Sequence, residues 1–504
     1  LDEVVVQAFG TAKKKDLTGA VSSIDSKLIS SQSNSTLSRA LEGAIPGLQV
    51  ASIDGQPGVD MGIRVRGIGS GTQNNSDALI VIDGVPNTNS NALSSLNPKD
   101  IESITVLKDA ASTALWGSRG ANGVVMVTTK KGQQGRAKVT FEGRWGINQQ
   151  GPFTYEKIDD PASLYEWAWQ SIYNTARFYG GKDFTTNVKN PNMSHEEAAL
   201  FASQHLFDAP ALGKTSGFAQ NSLGNYMLYN VPGAKYISSC SGSSASSTMT
   251  GAYLIDPMTG KLNPNAELLY WDPWDGHFLQ NRFRQEYNVS VSGATDKTDY
   301  FISAGYLEDP SYIQGSSFNR YNVRSNINSQ ITKWLKAGIN MAYSRRAVQS
   351  PATRYGRNPG SAVANVFRWV NGQNQLIPLY QRNADGSYIL DAAGNKQYTS
   401  AAEQNGSVVG PTGGPTSTAN LDYILNHDKD ETISNDINIR GYVEAKFLKD
   451  FTFQANLSTD QTFAMRSRYW NPVTGSAVST SGAWGQHYSE YNNINTQQTL
   501  NWAH

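Results

Sequence analysis

The hydrophobic pattern of the chain changes character along its length, and its back portion is the easiest to read. From Glu286 to Gly293, Tyr287, Val289 and Val291 alternate with Asn288, Ser290 and Ser292, and Tyr300, Ile302, Ala304 and Tyr306 resume the alternation after Ala294-Thr295-Asp296-Lys297. Leu335, Ala337, Ile339, Met341 and Tyr343 repeat it, as do Ile433, Ile437 and Ile439 against Ser434, Asp436, Asn438 and Arg440. Phe451, Phe453, Ala455 and Leu457 follow a turn at Leu448-Lys449-Asp450. A period of two over such lengths predicts antiparallel hairpins with one apolar and one polar face. Short turns alternate with long excursions such as Arg346 to Glu431. That asymmetry points to a membrane-spanning β-barrel, whose turns are tight on one side and long on the other, rather than to a sandwich with more even loops.

The front portion, about residues 1–135, is rich in Gly, Val and Ile and predicts a compact α+β domain. Ser35 to Glu42 and Asn97 to Ile101 read as capped helical turns, and Ala78 to Ile82 as a short strand ended by Asp83-Gly84, with a second buried strand at Gly123 to Thr129. Between the two portions lies a less regular stretch. It opens with a strand over Lys138 to Asn148, then a helix over Asp160 to Phe178 with Leu164, Trp167, Ala168 and Ile172 on one side. Ser238 to Thr248 is Ser-rich and reads as a loop, and Asp256 to Gly260 as a hairpin tip.

Composition narrows the picture further. Lys+Arg 42 balance Asp+Glu 42, so no long-range field would draw nucleic acid, and a nucleic-acid partner is not expected. No apolar run is long enough for a helical membrane span, but a barrel strand shows lipid only every second side chain and stays polar on average. The 24 Tyr, 17 Phe and 11 Trp suit interfacial girdles. Cys240 is the only cysteine, so no intramolecular disulfide can form.

An ordered series of motifs carries a resemblance. Pro46-Gly47-Leu48-Gln49-Val50, Gly55-Gln56-Pro57-Gly58, Ile63-Arg64-Val65-Arg66-Gly67 and Ala78-Leu79-Ile80-Val81-Ile82-Asp83-Gly84-Val85-Pro86 come first. Asn97-Pro98-Lys99-Asp100-Ile101-Glu102-Ser103, Val106-Leu107-Lys108-Asp109-Ala110, Gly117-Ser118-Arg119-Gly120-Ala121-Asn122-Gly123 and Thr128-Thr129-Lys130-Lys131-Gly132 complete it. To Gly132 the chain closely resembles the plug of SusC-like TonB-dependent outer-membrane transporters, and Tyr287 to Tyr306 resembles an early barrel hairpin of that family. Ala8-Phe9-Gly10 replaces the more usual Gly-Tyr-Gly, and Trp116 stands where Tyr is common.

The resemblance implies a large antiparallel transmembrane β-barrel, of about 22 strands in the family, with an N-terminal α+β plug domain in its lumen. About eight strands are countable here, so the C-terminal strands are expected to be absent. It implies three regions: 1–16, a TonB box and linker; 17–135, the plug; and 136–504, the first part of the barrel. It implies active import of large nutrients, glycans or oligopeptides, with the plug displaced by TonB, backed by ExbB and ExbD, pulling on the N-terminal box. A SusD-like surface lipoprotein as lid, dimers of SusC–SusD pairs and contact with outer-membrane lipid follow from it as well. A siderophore or vitamin receptor on the same scheme, and a non-transporting surface or secretion-accessory protein with this fold, are the rival readings.

Candidate site residues fall into three groups. Leu1, Asp2, Glu3, Val4, Val5 and Val6 form a β-branched terminal segment that could add a strand to another protein's sheet edge, or stay in the chain's own sheet. The resemblance makes it the TonB box. Arg64, Arg66, Asp83, Lys108, Asp109 and Arg119 set charges among short apolar runs, for gating or for salt bridges within the plug. Asn74, Asn75 and Asn89 lie in polar loops and suit sugar hydroxyls or peptide amides, although such stretches are commonly solvated turns. Tyr270, Trp271 and Trp274 could stack on sugars or simply pack. No enzyme, cofactor or metal is expected. Gly213-Lys214-Thr215 lacks the first Gly of a phosphate loop, His195-Glu196-Glu197 lacks the second His of a zinc motif, and Asn383 to Lys396 reads as two hairpin tips rather than a calcium loop.

Overall fold

The computed structural model describes residues 4–7, 10–13, 21–51, 56–59, 61–67, 77–87, 93–151, 158, 160–179, 192–207, 228–241, 244–272, 275–351, 378–383, 385–398, 420–473, 477 and 480–502. The first strands, β1 (Val4–Gln7) and β2 (Gly10–Lys13), pair as an antiparallel hairpin. The front domain then runs β3 (Val21–Asp25), α1 (Ser26–Ser31), α2 (Leu37–Ala40), β4 (Leu48–Ala51), β5 (Gly62–Val65), β6 (Leu79–Ile82), β7 (Val85–Asn87), β8 (Ile101–Leu107), α3 (Ala110–Thr113) and β9 (Val124–Thr129). Five of these strands form one mixed sheet in the order β3-β8-β9-β6-β7, in which only β6 and β9 are parallel. A short hairpin, β4 with β5, stands apart.

Local chemistry explains the element ends. The Asp25 carboxylate accepts from Leu28 N at 3.1 Å to cap α1. The Asn97 side chain caps the 3-10 turn Pro98–Asp100 by accepting from Lys99 N. Asp83 and Gly84 both take positive φ, the pair a two-residue hairpin turn between β6 and β7 demands. Ile24, Ile29, Leu37, Ile101, Ile104, Val106, Val125 and Val127 build the core on one face of the sheet, while Leu79, Val81, Leu107, Val124 and Met126 cover the other.

The second body is an eight-stranded antiparallel sheet. It begins at β10 (Gly135–Asn148) and is interrupted by an excursion holding α4 (Pro161–Asn174), α5 (His195–Gln204), β11 (Tyr229–Asn230), β12 (Lys235–Ser241), β13 (Ser244–Thr250), β14 (Glu267–Leu268) and α6 (Asp275–Phe278). It continues through β15 (Arg282–Ala294), β16 (Thr298–Pro310), β17 (Ser317–Gln330) and β18 (Leu335–Ser350). After a second excursion ending in α7 (Leu421–His427) come β19 (Lys429–Phe447), β20 (Phe451–Trp470) and β21 (Ala483–Trp502). At 19 or 20 residues β19, β20 and β21 are about twice as long as the roughly 10 residues a strand needs to cross a bilayer.

The wall is inside out relative to a soluble protein. On β17, Arg320 is 1% exposed and Arg324 5%, while their neighbours Tyr321 and Val323 are 52% and 51% exposed. Ser303, Asn322, Asn326, Asp436 and Arg440 are buried on the same side, and Ile302, Ile339, Met341 and Ile439 lie open on the other. A polar face turned inward and an apolar face turned outward is stable only where lipid replaces water outside. No described helix is long and apolar enough to cross a membrane.

The two excursions fold together. Tyr165, Trp169, Ile172, Ala202, Phe207, Met249, Leu254 and Phe278 from the first share one apolar core with Leu379, Leu421 and Leu425 from the second. Here the structure corrects two expectations. Of the expected apolar side of α4, Ile172 is buried and Leu164 and Ala168 pack against this core, but Trp167 is 66% exposed; Tyr165 and Trp169 take the buried aromatic positions instead, Trp169 donating its indole N–H to buried Ser203 Oγ on α5. The described residues of the Ser-rich stretch Ser238 to Thr248 are strand, not loop. They lie in the β12–β13 hairpin, in register from Lys235↔Thr250 to Ser241↔Ser244 and anchored by buried Met249. Backbone pairing with a core anchor at its base outweighs the weak strand preference of serine.

Candidate functional site: the seam between plug and wall

The front domain sits against the polar face of the wall, and the seam is built from hydrogen bonds and ion pairs. Asp100, at the end of its capped turn, accepts from Ser303 Oγ at 2.7 Å and lies 3.6 Å from Arg324 Nε, with both side chains almost fully buried. Asp83 uses its tight turn to present both oxygens. Oδ1 accepts from Thr129 N and Oδ2 from Thr129 Oγ1, each at 2.8 Å, and Arg440, itself paired with Asp460, stands 3.7 Å away. Asn326 donates to Thr129 Oγ1 and to Lys130 O. Two carboxylates of the front domain thus face two arginines of the wall across a sheet-to-sheet seam.

Higher on the same strands, Arg320 donates to Ser35 O and Leu96 O at 3.0 and 3.1 Å. Arg346 holds Asp436 through two nitrogens and reaches Ser94 Oγ. Asn97 donates to Asn288 at 2.7 Å, an approach possible because residue 305 is glycine: a Cβ there would stand 2.8 Å from Asn97 Nδ2. Gln56 bonds Gln349 O and Ser350 Oγ where the wall opens into its second excursion. Lys99 joins Glu142 at 2.6 Å, and burial lowers its pKa while that carboxylate works to raise it. Among the described residues the mostly polar seam leaves several buried polar atoms, including Asn322 Nδ2, Asn326 Oδ1 and Arg320 Nε, without a hydrogen-bond partner. Such an interface is easier to part than an apolar core.

The charges singled out from the sequence divide by location. Of Arg64, Arg66, Asp83, Lys108, Asp109 and Arg119, the contacts described carry Asp83 to the wall. Lys108 donates to Ser22 Oγ and Pro46 O, Asp109 caps α3 through Ser112 N, and Arg64 lies 3.6 Å from Asp77, all within the front domain. Arg66 and Arg119 are exposed. Asp100, Lys99, Asn97 and Gln56 lie within the sequence motifs, but nothing in those motifs marks them as contacts to the wall. The wall partners lay on the polar side of strands whose alternation was legible, which is the signal that could have found them.

Of the N-terminal segment, Val4, Val5 and Val6 are described, in β1, whereas Leu1, Asp2 and Glu3 lie outside the described residues. Asn74, Asn75, Asn89 and Trp274 also lie outside them. Tyr270 and Trp271 pack against the excursion core. Arg382 lies over Tyr270 at 4.9 Å and over Tyr388 at 3.7 Å while pairing with Asp272 at 2.6 Å, and Lys396 covers Tyr388 at 3.8 Å. Burial pushes the Tyr270 hydroxyl up to about 12, Arg382 acting in the opposite sense.

A polar-lined, apolar-clad strand wall with an α+β domain seated on its inner face defines the plugged-barrel class. Comparison with known proteins agrees. Residues 13–124 match the TonB-dependent Receptor Plug Domain. The chain is 47% identical over 150 residues to TonB-dependent receptor SusC of Bacteroides thetaiotaomicron, covering 28% of this chain and 15% of that protein. It is 30% identical over 389 residues to TonB-dependent receptor P26 of Formosa agariphila, covering 77% of this chain and 30% of that protein. In fold it is similar to the RagAB peptide importer in its open-open state, with TM-score 0.61 at 20% identity, covering 99% of this chain and 46% of that one. The chain therefore falls among the SusC-like TonB-dependent receptors, and it spans less than half the length of these relatives.

Proposed function

We propose that this chain forms the plug and first part of the wall of an outer-membrane importer that takes up large nutrients, glycans or oligopeptides, under force from TonB. The observation that carries the reading is the seam. A stopper held by bonds such as Asp100–Arg324 and Asp83–Arg440 closes the lumen at rest and is parted by rupturing a limited set of polar contacts. The β1–β2 hairpin supports the other half of the reading. Among the described strands β1 has a neighbour on one edge only, and an extended partner can add at the other through main-chain hydrogen bonds.

In this scheme cargo binds between the excursions and the upper surface of the plug, TonB with ExbB and ExbD grips the segment Leu1 to Val6, and the plug moves aside. A SusD-like lipoprotein serves as lid, and two such pairs associate. Deletion of Leu1 to Val6 tests it. Uptake should be lost while barrel assembly and cargo binding remain, whereas a surface adhesin on this fold would lose nothing.

A further inference from the structure

The geometry points to a mechanical stop at Ser30–Ser35 that divides the plug into a releasable N-terminal stretch and a retained remainder. This inference rests on the importer reading above for its purpose, though not for its test. Helix α1 ends at Ser31, and its last carbonyls have no partners within the helix. Cations supply them. Arg144 of β10 donates to Ser30 O at 2.6 Å, Gln32 O at 3.2 Å and Ser31 O at 3.4 Å, and Lys99 Nζ adds a second bond to Ser30 O at 2.7 Å. Glu142 locks the two cations in place, at 2.6 Å from Lys99 and 2.7 Å from Arg144. Arg320 then holds Ser35 O from the opposite flank of the seam.

What precedes this clamp is held differently. Among the described strands β3 is the edge of its sheet, paired with β8 and held further by Lys108 Nζ on Ser22 Oγ, and α1 is one short helix. Among the described contacts, those at Ser30–Gln32 are the first along the chain that join it to the wall. A pull on the N-terminus would therefore load β3 and α1 first, and reach the arginine–carbonyl bonds only after they have yielded. Bonds from a charged donor are roughly twice as strong as neutral ones, and here several must part together. The clamp would let the pull clear a stretch of plug without drawing the whole domain out of the lumen.

The test is single-molecule pulling on an N-terminal tag of the full-length protein in lipid bilayers at constant force. Wild type should extend by roughly 100 Å, at about 3.5 Å per residue for the stretch before Ser30, and then halt. The Lys99→Met/Arg144→Met variant should shorten the lifetime of that halt at least tenfold. If the pair does not assemble, judged by heat-modifiable migration, Arg144→Met alone should shorten it at least threefold. Extension that runs past Ser35 in wild type without pausing, or equal lifetimes in wild type and variant, would overturn the inference. No TonB or cargo is present in this assay, so failure of the importer reading shows separately, as intact uptake after deletion of Leu1 to Val6.

Discussion

The Asp100–Arg324 pair allows the seam to be tested quantitatively. At 3.6 Å and an effective dielectric near 20, two unit charges attract by about 4.6 kcal/mol before desolvation. The side chains are only 4% and 6% exposed, so removing one charge strands the other, a change that costs about 3–5 kcal/mol in buried pairs. Asp100→Asn keeps an acceptor for Ser303 Oγ, which places the loss near the lower end, about 3 kcal/mol. The assay is the labelling rate of a cysteine replacing buried Thr105 in a Cys240→Ser background, in intact outer membranes, where labelling requires the plug to open. A 3 kcal/mol loss corresponds to about 150-fold faster labelling. Arg324→Gln should give a similar increase, and the double variant little more than either alone, because the pair acts as a unit. Additive effects of the two substitutions, or less than a threefold increase from Asp100→Asn, would refute the claim that this pair holds the plug.

Two further outcomes follow from individual contacts. Gly305→Ala should break the Asn97–Asn288 bond, since its Cβ would lie 2.7 Å from Asn288 Oδ1 and 2.8 Å from Asn97 Nδ2, at a cost of about 1–3 kcal/mol seen in the same labelling assay. Tyr270 has a folded-state pKa raised to about 12 by burial, so the stability it supports is complete below pH 10 and drains away as pH rises toward 12. Alkaline unfolding of the excursion core, followed by phenolate absorbance, should therefore be less steep in Tyr270→Phe, and an unchanged profile would contradict the burial argument.

Much of the fold is legible because strand faces and turns are set within a few residues. Period two alone assigns Tyr287, Val289 and Val291 to one face of β15, and Asp83-Gly84 announces its own turn, with both residues at positive φ. Asn97 before Pro98 predicts a capped turn, and one is present. The sign of the wall, polar inward, follows from the same alternation once the apolar face is assigned to lipid. The N-terminal strand is legible too, as β-branched Val4, Val5 and Val6.

Tertiary structure alone decided which partners meet. Arg324 and Asp100 lie far apart in sequence, and nothing local to either tells that they share a seam; the packing of the front domain on the polar face of the wall brings them within 3.6 Å. The same holds for the clamp, where the orphaned carbonyls of α1 are predictable from the helix end but the arrival of Arg144 on them is not. The excursion core is not legible in the sequence for a related reason. Tyr165, Met249 and Leu421 come from segments of mixed pattern, and only their mutual burial makes a helix face and a Ser-rich hairpin definite. Local preference is worth tenths of a kcal/mol per residue, whereas burying a large side chain in a shared core contributes about 1.5–3 kcal/mol, so where the two compete, the distant contact decides.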